Sequence, residues 1–280
     1  MAGEATPQGK KTLIRLVAFD LDQTLIGDDL IISEHTRQVI DAAQVRGVIV
    51  ALVTGRGPKV SAHFARQLGL VAPVVCYQGG MVYDFICDKV LFELRLPVEL
   101  LPSIVSAMQD RGWNLHFEEA GHIYLPRISH HPPIFYELIR VTEWSRLDDL
   151  LHDLPAVPHK FIVTLNHPQD RARVVAEMEA VFARRINVIP SHPYLVEGLP
   201  AGVDKGCGLA WLADYYHIPA DQVLAVGDND NDVPMLQWAG LGVAVGNASP
   251  MARAAADWIA PSVAEDGAAV ALEKYILGSW

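Results

Sequence analysis

Between Leu13 and Cys76 short apolar runs alternate with longer amphipathic ones, and the same alternation returns after Lys205. Strands separated by whole helices are forced into parallel pairing, because an antiparallel neighbour needs only a short turn. Leu13 to Phe19 reads as a strand ending in acids. Glu34 to Arg46 carries Val39, Ile40 and Ala43 at helical spacing and stops at Gly47. Val48 to Val53 is a continuous apolar run, as in a strand buried on both faces. Pro58 suits the first turn of a helix running to about Leu68 and closed by Gly69, and Val74 to Cys76 is a third strand. Late in the chain, Lys205 to Tyr216 reads as a helix and Val223 to Val226 as a strand. A helix through Leu236, a strand at Val243 to Val245, a helix near Met251, a short strand at Trp258-Ile259 and a last helix from Gly267 follow.

The two ends predict halves of one doubly wound, Rossmann-like α/β domain. The middle differs: it is richer in prolines and aromatics and holds most of the histidines. Its strands come in pairs, such as Trp113 to Phe117 with His122 to Leu125, beside helices at Leu100 to Arg111 and Gln169 to Arg184. The expected organisation is a core of residues 1–82 and 197–280 with an inserted α+β domain of residues 83–196. The crossings between them, expected to serve as hinges, are placed near Gly79-Gly80 and near Glu197 to Pro200.

Composition narrows the function. With 22 basic against 33 acidic residues the net charge is -11, which disfavours a nucleic-acid partner. No apolar run reaches the length of a membrane span. The 3 cysteines, Cys76, Cys87 and Cys207, have no C-x-x-C spacing and read as reduced thiols. The stretch Met1 to Lys11 lacks the apolar segment of a signal peptide and reads as a frayed tail. A soluble cytoplasmic protein is expected; oligomeric state is not legible.

Four segments carry chemistry, three of them at strand ends, where ligands of parallel sheets bind. The first strand ends Asp20-Leu21-Asp22-Gln23-Thr24. The second ends Thr54-Gly55-Arg56, a hydroxyl, a glycine and a guanidinium suited to an anion. Lys205 opens a helix that Asp204 can cap, a cation placed against the helix dipole. The late strand ends Gly227-Asp228-Asn229-Asp230-Asn231-Asp232. A calcium loop is excluded there, because its sixth position is Val233 instead of Gly and its twelfth Ala239 instead of Glu. A magnesium site needs only one or two carboxylates beside water and substrate oxygens. Four acids and one lysine also cannot accept a phosphate dianion without a cation.

Together, D-x-D-x-T, T-G-R, the helix-leading lysine and G-D-x-x-N-D resemble the haloacid dehalogenase superfamily of phosphotransferases, most closely the Cof-like phosphatases with a large α/β cap between the second and third motifs. The resemblance runs from Leu13 to about Leu277. It implies a haloacid dehalogenase core with Asp20 as nucleophile and Asp22 as general acid and base. Thr54, Gly55, Arg56 and Asn231 would contact phosphate, with Asn231 alternatively on Lys205. Lys205 would bridge nucleophile and phosphate. Mg2+ would be held by Asp20, the backbone carbonyl of Asp22 and Asp228, with Asp232 behind them. The implied activity is a Mg2+-dependent phosphomonoesterase acting through an aspartyl-phosphate on a small phosphate ester: a sugar phosphate, nucleotide or cofactor phosphate. Two departures stand out: Gln23 where the family has Gly, and Gln78, in Tyr77-Gln78-Gly79-Gly80, where many relatives have Asn.

A sugar phosphomutase on the same scaffold is the enzymatic alternative, and a non-catalytic phospho-ligand module the other. The glycines of Gly240-Leu241-Gly242-Val243-Ala244-Val245-Gly246 flank a strand instead of opening a helix, so no dinucleotide site is expected. The chain has neither a P-loop nor a G-x-S-x-G elbow. The histidines lack metal-ligand spacing.

Overall fold

The computed structural model describes residues 13–278, so the expected frayed tail lies outside the described residues. Five parallel strands form the core sheet: β1 (Leu16–Phe19), β2 (Ile49–Leu52), β12 (Val223–Gly227), β13 (Leu241–Ala244) and β14 (Trp258–Ile259), in the order β14-β13-β12-β1-β2. β1 runs between the two ends of the sequence: Leu16 lies beside Ile49 on one side and Val223 on the other. Alternate residues of β1 enter different cores. Val17 and Phe19 pack with α1 (Glu34–Val45), α2 (Pro58–Gln67) and α9 (Gly267–Leu272). Leu16 and Ala18 pack with α6 (Lys205–Tyr215), α7 (Val233–Trp238) and α8 (Pro250–Ala255). Both faces of the sheet are thus covered, which is why its strands are apolar throughout.

A parallel bridge between Val53 and Val75 adds β3 (Val74–Cys76) beyond β2. Two antiparallel strands, β4 (Met81–Asp84) and β5 (Lys89–Glu93), continue from β3. The inserted sheet has six strands in the order β10-β11-β9-β6-β7-β8: β6 (Asn114–Glu119), β7 (His122–Pro126), β8 (Glu143–Leu147), β9 (Lys160–Thr164), β10 (Ile186–His192) and β11 (Leu195–Pro200). Its pairs are antiparallel except β7 with β8. α3 (Leu101–Arg111) and α5 (Arg171–Phe182) bury one face through Ile104, Phe117, Phe161, Val163 and Phe182. The short α4 (Pro133–Leu138) packs Phe135 on Ile123 and Leu125.

Hydrogen bonding crosses both boundaries expected from sequence. β4 and β5 keep the chain on the core through Glu93, and β11 stays paired in the inserted sheet through Pro200. The first crossing falls at Arg95: Leu94 N–H donates to Gly80 of the core, and Leu96 N–H to Pro158 of the insert. The second falls between Pro200 and Asp204. The expected hinge glycines are therefore packed elements. Gly79 has φ +100°, and a Cβ there would run into the Asp204 carbonyl at the start of α6.

The insert sits down on the core. Tyr77 Oη accepts from Gly121 N–H at 2.6 Å, Lys59 Nζ donates to Glu143 at 2.7 Å, and Arg140 donates to the Asp28 carbonyl at 2.9 Å. Among the described residues no helix is long and apolar enough to cross a membrane.

Candidate active site

Three neighbouring strands aim their carboxyl ends at one point. Asp20 follows β1, Thr54 lies just past β2, and Asp228 follows β12. Lys205, the first residue of α6, is fixed there by the Asp204 cap, whose carboxylate accepts from Cys207 N–H at 2.8 Å. Its Nζ lies 2.6 Å from Asp20 Oδ1 and donates also to Asp232 Oδ1. Lys205 is 1% exposed, so this charge has been taken out of water and is answered only by carboxylates. Asp232 Oδ2 accepts from the Asp228 and Asn229 N–H groups, each at 2.9 Å. With both oxygens engaged, Asp232 braces the loop and the lysine. Thr24 Oγ1 donates to Asp228 Oδ1 at 3.0 Å.

One carboxylate oxygen from each of Asp20, Asp228 and Asp232 lies within 4.8 Å of the others. Burial, then the Asp232 charge, hold the Asp20 carboxyl well above its ordinary range, against the pull of Lys205. Burial and Asp232 likewise push Asp228 up to about 7. Burial alone would pull Lys205 down, but Asp20 and Asp232 outweigh it and raise it. Crowded carboxylates that resist ionising fit a divalent cation, which would repay that repulsion. Asp20 and Asp228 are the donors suited to it; Asp232 is already committed.

The Asp22 side chain stands apart from this cluster. Its carboxylate turns to Arg56, with Nε 2.7 Å from Oδ2 and Nη2 2.6 Å from Oδ1. Thr54 is buried, and its hydroxyl accepts from Arg56 N–H at 3.2 Å. At Gly55 a Cβ would collide with the Gln78 amide. Asn231, expected on phosphate or Lys205, donates instead to Gln78 Oε1 at 2.9 Å. Gln23 has φ +60°, in the left-handed region that favours glycine.

Sequence reasoning missed Lys160, Glu118 and Glu197 on the core-facing side of the insert. Lys160 Nζ donates to the Gly55 carbonyl at 2.9 Å and to Glu197 at 2.6 Å, and lies 3.6 Å from Glu118. The available signal was a charge embedded in an apolar strand: Lys160 leading Phe161-Ile162-Val163, and Glu197 following Leu195-Val196.

A family model described as haloacid dehalogenase-like hydrolase matches residues 17–272. A Bacillus subtilis (strain 168) protein named 5-amino-6-(5-phospho-D-ribitylamino)uracil phosphatase YitU is 29% identical over 272 residues, covering 93% of this chain and 97% of its own. The HMP-PP phosphatase of Serratia proteamaculans (strain 568) is 27% identical over 251 residues, covering 86% and 87%. The crystal structure of a haloacid dehalogenase-like hydrolase from Bacteroides thetaiotaomicron superposes with a TM-score of 0.83 at 27% identity, covering 93% of this chain and 99% of that one. With a family model matched along nearly its whole length, a parallel core whose strand ends gather the four motifs, and an inserted cap, the chain belongs to the haloacid dehalogenase-like hydrolases, among their Cof-like phosphatases.

Proposed function

We propose that this chain is a Mg2+-dependent phosphomonoesterase that forms an aspartyl-phosphate at Asp20 and acts on a small phosphorylated metabolite. The observation that carries this reading is the buried Lys205 held between Asp20 and Asp232 at the ends of β1 and β12. Lys205 orients the Asp20 carboxylate and keeps a positive charge where a phosphoryl oxygen would lie. An Asp20 oxygen attacks phosphorus, the bond to the ester oxygen breaks, and Asp22 gives that oxygen its proton. Asp22 then takes a proton from the water that attacks phosphorus, releasing phosphate and restoring Asp20. Thr54 and Arg56 hold the remaining phosphate oxygens. Asp20, Asp228 and the Asp22 carbonyl would hold Mg2+, which neutralises the charge gathered between carboxylates and phosphate.

Residues from about Arg95 to Pro200 form the cap, and its core-facing side supplies the surface that meets the leaving group. The names of the relatives support small phosphorylated substrates. Phosphate release from p-nitrophenyl phosphate with Mg2+, lost in Asp20→Asn, is the test. Equal release by the variant would overturn the nucleophile.

A further inference from the structure

A continuous line of hydrogen bonds joins the cap to the acidic loop. It starts at Lys160 on β9, which is 3% exposed. Lys160 Nζ donates to Glu197 Oε2 at 2.6 Å; Glu197 Oε1 accepts from Gln78 Nε2 at 2.9 Å; Gln78 Oε1 accepts from Asn231 Nδ2 at 2.9 Å. Lys160 and Glu197 belong to the inserted sheet, Gln78 and Asn231 to the core.

The charged end fixes the direction of every link. An ammonium only donates, and the carboxylate beside it accepts. Gln78 must therefore turn its NH2 to Glu197, which points its carbonyl at Asn231. Asn231 must answer with its own NH2. Amide orientations are usually free choices, but here neither is. What is left over is Asn231 Oδ1, buried and without a partner. A buried acceptor left alone keeps the full cost of its lost hydration, so it is built to meet a donor. A dianionic phosphate oxygen cannot be that donor; a hydroxyl, an N–H or a water can.

Lifting the cap about its two crossings would withdraw Lys160 from the Gly55 carbonyl and Glu197 from Gln78. Both Gln78 and Asn231 would then lose the restraint on their orientation. We propose that Lys160, Glu197 and Gln78 are a positioning relay through which cap closure turns the Asn231 carbonyl oxygen toward the bound ligand, as an acceptor for a hydroxyl, N–H or water. This rests on the phosphatase reading above and assigns Asn231 a partner other than phosphate.

The test is a swap. Gln78→Glu is nearly isosteric but sets two carboxylates face to face. The double variant Gln78→Glu/Glu197→Gln again gives every donor an acceptor. On p-nitrophenyl phosphate, kcat/KM should fall about tenfold or more in Gln78→Glu and return to within about threefold of wild type in the double variant, where tenfold corresponds to about 1.4 kcal/mol. In an Asn231→Ala background, Gln78→Glu should add little further loss, since the relay acts through Asn231. A harmless Gln78→Glu, or losses that simply add in the swap, would overturn the relay, because packing alone is insensitive to which amide is the acid. Glycerol 2-phosphate separates the donors: a leaving-group hydroxyl makes Asn231→Ala costlier on that ester than on p-nitrophenyl phosphate, and a water makes the two losses equal. Amide hydrogen exchange over residues 229–232 reads the same restraint without turnover. It should quicken in Gln78→Glu and slow again in the swap, and unchanged exchange refutes the relay. If wild type releases phosphate from no ester, the phosphatase reading falls and the exchange result alone decides this one.

Discussion

Arg56 grips Asp22 with two parallel hydrogen bonds, Nε to Oδ2 at 2.7 Å and Nη2 to Oδ1 at 2.6 Å. This fork is the geometry with which a guanidinium takes a phosphate. Under the proposed function, a phosphate entering beside Thr54 would compete for the same donors and free Asp22 to act on the leaving oxygen. The guanidinium also lies over the Phe64 ring at 5.7 Å, which keeps it at the site when Asp22 lets go.

Arg56→Ala is accordingly expected to raise KM for phosphate esters about tenfold or more and to lower kcat less, the pattern of a lost binding contact. Steady-state kinetics on p-nitrophenyl phosphate measure this split. An unchanged KM would show that Arg56 serves only to hold Asp22.

Asp20→Asn should drop turnover below about one percent of wild type, because an amide cannot take the phosphoryl group. The fold should survive. Burial and three neighbouring carboxylates oppose the Asp20 charge, so its removal relieves repulsion. Thermal melting of the metal-free variant should match or exceed wild type. A lower melting temperature would mean that the contact with Lys205 outweighs the repulsion.

Metal binding should show in the pH dependence of stability. Without a cation the folded protein keeps a proton on Asp228 up to about 7, whereas an unfolded aspartate loses it near about 3.9. The folded state thus binds more protons between these values. Stability from this group is complete below the lower one and is lost as pH rises through the upper one. In EDTA, stability should therefore decline from pH 5 to pH 8, and Mg2+ should raise the melting temperature more at pH 8 than at pH 5. Chelation should also stop turnover, with Mg2+ restoring it and Ca2+ doing so poorly, since Ca2+ prefers more ligands at longer distances. An equal Mg2+ shift at both pH values would contradict these carboxylates as the ligands.

Gly79→Ala should cost about 2–4 kcal/mol, from a backbone conformation alanine resists and a Cβ driven into the Asp204 carbonyl. Since Asp204 caps the helix that begins at Lys205, activity should fall along with stability. Urea unfolding gives the first quantity and p-nitrophenyl phosphate the second. A loss under about 1 kcal/mol would show that the turn and α6 can separate cheaply.

The core was legible because β1, β2 and β12 end in motifs and helices α1, α2 and α6 carry their own start or stop residues. β1, β2 and β12 bury both faces, so their apolar runs announce them. The hairpin of β4 and β5 was not assigned to the core. Its short apolar runs suit either sheet, and only its pairing with β3 decides. β8, β9, β10, β11 and α4 were not assigned either; for β8 the reason is plain, since Glu143 to Leu147 is largely exposed and its apolar residues are too few to mark a strand. At the site, Asp20, Lys205, Asp228 and Asp232 lie together, a grouping that the resemblance implied and that no single motif carried. The link from Asn231 through Gln78 to the cap was hidden, because Lys160 and Glu197, on the cap's own sheet, look like ordinary surface charges until that sheet meets the core.

The neighbours of β1 also constrain how the molecule is made. Leu16 pairs with Ile49 a short way on along the chain, but its other partner, Val223, emerges only after the entire cap. The cap runs unbroken between its two crossings and can fold as it leaves the ribosome, while the strand that ends at Asp20 waits with one edge open. An open edge of this kind is a template for wrong pairing. Early completion of the cap shortens the tether between β1 and β12, so the insertion also helps the nascent chain bring together the two strands that carry Asp20 and Asp228.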